Sequence, residues 1–322
     1  MCLSSPASSS ADSVRRPIMA AALGPHYLVF TALLSVGYQL VFFAVTSKFR
    51  FDKLTDFAGG TGFLVNAVVT VLVSGGGYHA RQIVLTALQV VRGLRLALFL
   101  LFRILKWGTD KRFDGMRDSL PKLAVFWRLQ ALWVFTVSRP VTLVNADAHG
   151  VAGSIGLGAA DYVGWALFAV GLALETVADQ QKLALKSAPS KGRAWCDVGV
   201  WRWSRHPKYF GEWLIWWGIF VSASRQLRDG DLLVAVASPL LVMALLLGLS
   251  GMPIQEQGWN KKFGHLAGFA GWKASTSPVV PLPPDLHRAL PRVAKTVLLF
   301  EWPLYAKGLG KGSDAGGRRS PD

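Results

Sequence analysis

Residues 26–46 (HYLVFTALLSVGYQLVFFAVT) contain no aspartate, glutamate, lysine or arginine, and comparable runs recur along the chain. Crossing the hydrocarbon layer takes a helix of about 20 mostly apolar residues. Apart from closed barrels, only helices satisfy their backbone groups there. Further apolar stretches at 61–74, 83–105, 123–144, 157–175, 209–224 and 231–250 therefore predict an all-α, polytopic transmembrane helical bundle of six or seven spans. Two stretches are atypical. The run 61–74 is short and 83–105 carries Arg92, Arg95 and Arg103, so a hairpin or interfacial segments are the alternative for both. Hydrophobic residues make up 52% of the chain and charged ones only 17%, a balance that excludes an ordinary soluble domain.

Lysine and arginine exceed aspartate and glutamate by 16, and the excess is an orientation signal because basic flanks resist translocation. Segments 47–60, 106–122, 176–208 and the tail from 253 are rich in Lys and Arg. Segment 145–156 has none, and 225–231 balances Arg225 and Arg228 with Asp229 and Asp231. With seven spans the basic loops and C-terminus face the cytosol and the N-terminus lies outside. The bilayer is the expected partner and nucleic acid is not. The endoplasmic reticulum is the expected location, with a plastid or other organelle as the alternative.

Cys2 and Cys196 are the only cysteines, too few for a disulfide framework or a thiolate metal site, so no metal is expected. Residues 1–24 begin MCLSSPASSSADSVRRP without the apolar core of a secretory signal, and read as a disordered or targeting segment. Residues 25–290 form one membrane domain. Residues 291–322 read as an amphipathic segment followed by a Gly-, Ser- and charge-rich disordered tail. No internal repeat is present.

Past the 157–175 span the helix continues as ETVADQQKLALKSAP, placing Glu175, Asp179, Lys182 and Lys186 at i, i+4, i+7 and i+11 on one side. Such a stripe equally describes solvated helix-stabilising ion pairs, worth about 0.2–0.5 kcal/mol each. Glu175 resists that reading because it sits at the edge of an apolar run. The chain then turns through SAPSKGRAWCDVG and re-enters as WRWSRHPKYFGEW, with Pro207 suited to a first helical turn. Trp201, Trp203, Trp213, Trp216 and Trp217 resemble an interfacial aromatic belt. Cations and tryptophans at a helix mouth suit a membrane anchor. Glu212, one turn inside, calls for an inward partner, and Arg205 or Arg202 is nearest in sequence. These groups outline a cytosol-facing pocket fit for an anionic cofactor, with a lipid-like molecule arriving from the apolar side.

The segments ETVADQQK, CDVGVWRWSRHPKYFGEWLIWWG, GMPIQEQGWNKKFG and TSPVVPLPP, preceded by WVFTVSRPVTLVNA, together resemble the DUF1295 family. That family is related to the C-terminal domain of steroid 5-alpha-reductases and, more remotely, to sterol reductases. The resemblance covers roughly residues 30 to 284 and implies NADPH held near the cytosolic face. The implied activity is reduction of a carbon–carbon double bond in a steroid-like or other lipid substrate. Glu175 and Asp179 fall where such reductases place polar nucleotide contacts, and Lys186 where they place a basic one. Arg205 and His206 match an RHP element. Tyr209, Phe210, Gly211 and Glu212 match NYFGE, with Lys208 in place of Asn.

On this basis Lys182, Lys186, Arg202 and Arg205 are expected at the phosphates, Glu175, Asp179 and Glu212 at ribose or amide groups, and His206 or Tyr209 as proton donor. Glu256 is the acidic group kept near the C-terminus. The tyrosines that usually follow it are replaced, in Phe263-Gly264 and Trp272-Lys273, and no counterpart of the steroid reductases' early Glu and Tyr is present. No GxGxxG fingerprint occurs between a strand and a helix, and VSGGGYHA at 73–80 reads as a loop between spans. Two rival functions share these features. One is an S-adenosylmethionine-dependent methyltransferase of the isoprenylcysteine carboxyl methyltransferase type, and the other is a non-catalytic lipid-binding membrane protein.

Overall fold

The computed structural model describes residues 24, 26–49, 54–74, 78–107, 119–147, 155–187 and 195–308, without the side chains of 103–107. The N-terminal segment 1–23, most of the basic loop 106–122, the glycines at 75–77 and the tail from 309 lie outside the described residues. The helices are α1 Leu28–Phe49, α2 Leu54–Val73, α3 Ala80–Trp107, α4 Leu120–Ala146, α5 Ala159–Ser187, α6 Pro207–Ala223 and α7 Asp229–Ala244. A π-helical turn, Leu245–Leu249, leads to the shorter α8 Met252–Phe263, α9 Phe269–Ser275, α10 Pro284–Ala289 and α11 Arg292–Leu298. Among the described residues there is no β-strand, only an isolated bridge between Ser204 and Ser277.

All seven apolar stretches are helical. Five helices are long and apolar enough to cross a membrane: α1, α2, α3, α5 and the continuous run Asp229–Phe263. The 61–74 stretch is part of a 20-residue helix that begins at Leu54, so it spans without a hairpin. The arginines of α3 do not prevent crossing either, because Arg92 is buried and its guanidinium lies 5.6 Å from the Phe63 ring. The remaining two stretches differ for opposite reasons. Helix α6 is 17 residues long, about 25 Å. Helix α4 is long enough but polar on its buried side, which holds Gln130, Ser138, Arg139, Thr142 and Asn145.

The chain divides into two compact units, Met1–Ala166 with Trp217–Leu241, and Leu167–Trp216 with Val242–Asp322. In the first, α1 is built inside out: Thr31, Ser35, Gln39 and Thr46 are buried, whereas Val29, Leu33, Leu40 and Val41 are exposed. A helix facing lipid has no hydrophobic reason to bury its leucines, so helix–helix contact falls to small and polar groups. Asn66 Nδ2 donates to Ser35 Oγ (2.9 Å) and Ser138 Oγ (3.0 Å), joining α1, α2 and α4. Asn145 Nδ2 donates to Ala67 O and Thr70 Oγ1. Gln130 bridges Gln39 Oε1 (3.0 Å) and Thr55 O (2.9 Å). The buried Arg81–Asp161 pair, with Nε–Oδ1 at 2.7 Å and Nη2–Oδ2 at 2.8 Å, ties the start of α3 to that of α5.

The second unit carries every sequence-predicted site residue. Within it α5 and α6 cross with backbones nearly touching at Gly171 and Gly211; a Cβ on Gly171 would fall 2.5 Å from Gly211 O. The loop before α6 is pinned to α5 by Val200 N donating to Gln181 Oε1 (3.1 Å) and Trp201 Nε1 donating to Ala178 O (3.1 Å). Gly199, with φ of 53°, stands where a side chain would strike Gln181.

Candidate functional site

The site is assembled around the RHP turn. Arg205 N donates to Ser277 O (2.8 Å) and Leu282 N to Trp203 O (2.9 Å), while Ser204 Oγ donates to Val279 O (2.8 Å). Two distant motifs, WRWSRHP and TSPVVPLPP, are thus laced together by their backbones. Pro207 then opens α6 where a missing N–H costs nothing.

Arg205 is 1% exposed. Its Nε donates to Glu256 Oε1 (2.9 Å), its Nη1 to Lys273 O (2.6 Å) and Thr276 O (3.0 Å), and Glu301 Oε1 lies 3.5 Å away. Glu256, buried on α8, also meets His206 Nε2 at 2.9 Å and Lys273 Nζ at 2.5 Å. Lys273 Nζ in turn donates to Asn260 Oδ1 (2.6 Å) and Tyr305 O (2.7 Å), so its ammonium has three acceptors. Burial pushes the Lys273 ammonium down, against the pull of Glu256. Burial would raise the Glu301 carboxyl, but His287 and Arg205 outweigh it and hold it below the usual carboxylate range. The cluster alternates cations and carboxylates, which is what makes such burial tolerable.

His206 is buried, and its ring is parallel to those of Tyr209 (5.2 Å, 7°) and Trp259 (5.0 Å, 2°). Desolvation lowers its pKa, with Glu256 opposing, so the ring is biased to the neutral form. A carboxylate can only accept, so the proton of that neutral ring sits on Nε2 toward Glu256 and leaves Nδ1 with a lone pair. The Tyr209 hydroxyl accepts a hydrogen bond from the Gln255 amide.

On α5 the predicted stripe divides. Glu175 and Asp179 are buried and meet Lys208, whose Nζ lies 3.2 Å from Asp179 Oδ1 and 3.9 Å from Glu175 Oε1. Lys182 and Lys186 are exposed. Lys182 Nζ lies over the rings of Trp201 (5.0 Å) and Trp259 (5.5 Å). The glycine crossing explains the carboxylates' position: a Cβ on Gly211 would stand 3.0 Å from Glu175 N. That contact brings the backbone of the YFGE turn against α5.

Three expectations change. Glu212 does not pair with Arg205 or Arg202. Arg205 reaches Glu256, Arg202 is exposed, and Glu212 Oε1 lies 3.5 Å from Trp216 Nε1. The aromatic belt is largely interior, since Trp201, Trp213 and Trp216 are buried and only Trp203 is well exposed. Beyond residue 290, Leu299 and Tyr305 are buried in this unit and Tyr305 Oη donates to Leu247 O (2.7 Å). Sequence reasoning missed Lys208 as the partner of the acid pair, and also Gln255, Trp259, Lys273 and Glu301. For Trp259 and Asn260 a signal existed: with Glu256 they share one helical face at i, i+3 and i+4. For Lys273 the Trp272-Lys273 pair of the family pattern was the signal, and for Glu301, a lone acid near the C-terminus, none existed. Among the described residues no group of three or more His, Cys, Asp or Glu side chains is placed to hold a metal.

No curated protein and no solved structure matches the chain at a significant level. A family model described as a protein of unknown function, DUF1295, matches residues 42–276. That span includes α2 to α9 and every candidate residue from Glu175 to Lys273. The chain is a member of the DUF1295 family, a multi-pass helical membrane protein.

Proposed function

We propose that the second unit is a membrane reductase that uses NADPH to reduce a carbon–carbon double bond of a lipid substrate. The observation that supports this most is the order of groups on one side of the RHP turn. An exposed ammonium, Lys182, stands over Trp259, whose ring is parallel to His206, which is parallel to Tyr209. The residues fit the cofactor with one revision. Arg205 is buried, and its Nε and Nη1 are tied to Glu256, Glu301 and two carbonyls. Phosphate binding therefore falls to exposed Lys182, Lys186 and Arg202, and the polar groups near α5 and α6 are Glu175, Asp179 and Glu212. The cofactor supplies the hydride; the chain supplies position, dryness and a proton.

Because neutral His206 directs its only N–H at Glu256, its other ring nitrogen can act only as an acceptor. The proton donor is then Tyr209, which keeps its own O–H while accepting from Gln255. His206 and Glu256 act as positioning groups behind it. The same charges disfavour S-adenosylmethionine, a sulfonium cation: the acid pair that would attract it is already closed by Lys208.

Purified protein titrated with NADPH and with S-adenosylmethionine, followed by tryptophan fluorescence, tests the reading. Quenching by NADPH that weakens in Lys182→Ala is expected. A response to the methyl donor alone would overturn it in favour of a methyltransferase, and a response to neither would favour a non-catalytic lipid-binding protein.

A further inference from the structure

Helix α11, Arg292–Leu298, contains no buried residue. Val293 is 74% exposed, Val297 64% and Leu298 64%; Val293 and Val297, at i and i+4, share one face, and Leu298 flanks it. Leu286 on α10 adds a fourth exposed apolar side chain. Seven residues are far too few to hold a helix by propensity alone. Its C-terminal end is nevertheless fixed. Leu299 N donates to Lys295 O (3.2 Å), Glu301 N donates to the same carbonyl (3.0 Å), and Leu299 is buried. Glu301 then reaches Arg205 and lies 3.3 Å from His287. The helix is therefore moored at one end to the ion-pair cluster, with its apolar face uncovered by any of the described residues.

The charges around that face are predominantly basic. Arg292 is exposed beside it, as is Arg288, which also meets the exposed Asp285, and Lys295 lies within the helix. The alternation of basic loops puts this segment on the cytosolic side, where the leaflet carries acidic phospholipid. We propose that α10 and α11 form an in-plane docking surface for an anionic phospholipid leaflet. Val293, Val297 and Leu298 enter the acyl boundary, and Arg288 and Arg292 meet the headgroups. The inference is independent of the reductase reading.

The full chain in nanodiscs tests it, by hydrogen exchange of residues 286–298 in phosphatidylcholine alone and with about 30% phosphatidylserine. Exchange in 292–298 is expected to slow roughly tenfold or more with the acidic lipid, and the Arg288→Gln/Arg292→Gln double variant to lose most of that difference. Equal exchange in both lipids overturns the proposal. So does protection that appears in lipid-free detergent and grows with protein concentration, which would assign the face to a second copy.

Discussion

Arg205 draws together residues from three separate segments: α8 through Glu256, α9 and the turn after it through the carbonyls of Lys273 and Thr276, and the C-terminal stretch through Glu301. Removing one partner of a buried charge pair strands the others. Arg205→Ala should therefore cost about 3–5 kcal/mol, and Glu256→Gln a comparable amount, because Lys273 then loses its carboxylate. Chemical unfolding in detergent measures both, and a loss below about 1 kcal/mol would show that the cluster is more hydrated than its geometry implies. His206 adds a pH dependence. Burial holds its folded pKa below the ordinary imidazole range, so below about pH 6.5 the unfolded chain takes up a proton that the folded chain refuses. Stability should fall as pH drops from about 6.5 toward 5, and His206→Gln should flatten that slope even while lowering stability overall. A variant with the wild-type slope would mean that another group carries the titration.

At the scale of elements, the α5–α6 crossing is the feature on which the acid pair depends. A Cβ at Gly171 meets Gly211 O at 2.5 Å and Ile215 N at 2.9 Å, both backbone atoms that no rotamer can move. Gly171→Ala and Gly211→Ala should each destabilise by about 1–3 kcal/mol and weaken any ligand response, since parting the helices displaces Glu175 from Lys208. Gly37 and Gly258 sit in helices with nothing within 4 Å of a new Cβ, so alanine there should be neutral or stabilising by about 0.5–1 kcal/mol. Thermal shifts of the four variants decide this, and equal losses in all four would remove the close-approach argument. The helices themselves were legible: each of the seven apolar stretches is helical, because the demand for about 20 dry residues writes itself into composition. What faces what was not. Thr31, Ser35 and Gln39 point inward on α1, contrary to the soluble-protein habit of reading polar as outward. The RHP and YFGE segments drew attention through their clustered charges. Their partners Lys273 and Glu301 lie 68 and 96 positions from Arg205 (273 − 205 and 301 − 205), and no local period connects residues so far apart.

For the molecule as a whole, the number of crossings decides on which side of the bilayer the proposed cofactor site opens. Five helices cross by length and apolarity alone. Helix α4 is long enough to join them, and its buried Asn145 Nδ2 donates to Ala67 O and Thr70 Oγ1 of a neighbouring helix. Helix α6 would join them as a short apolar helix, with Ile215, Trp216 and Ile219 buried. With seven crossings the ends of the chain would fall on opposite faces, and the basic segments 47–60, 106–122, 176–208 and 253 onward would share one. The two cysteines report on this directly. Cys196 lies in the third of those basic loops and is half-buried, while Cys2 precedes the first span. In sealed microsomes with the cytosolic face outward, a membrane-impermeant maleimide should label a Cys2→Ser variant through Cys196. It should leave a Cys196→Ser variant untouched until detergent opens the vesicles. A protease added outside should remove a C-terminal epitope tag and spare an N-terminal one. If both tags are cut in sealed vesicles, the number of crossings is even. Either α4 or α6 then fails to span, and the Lys182 face cannot be assigned to the cytosol by charge alone.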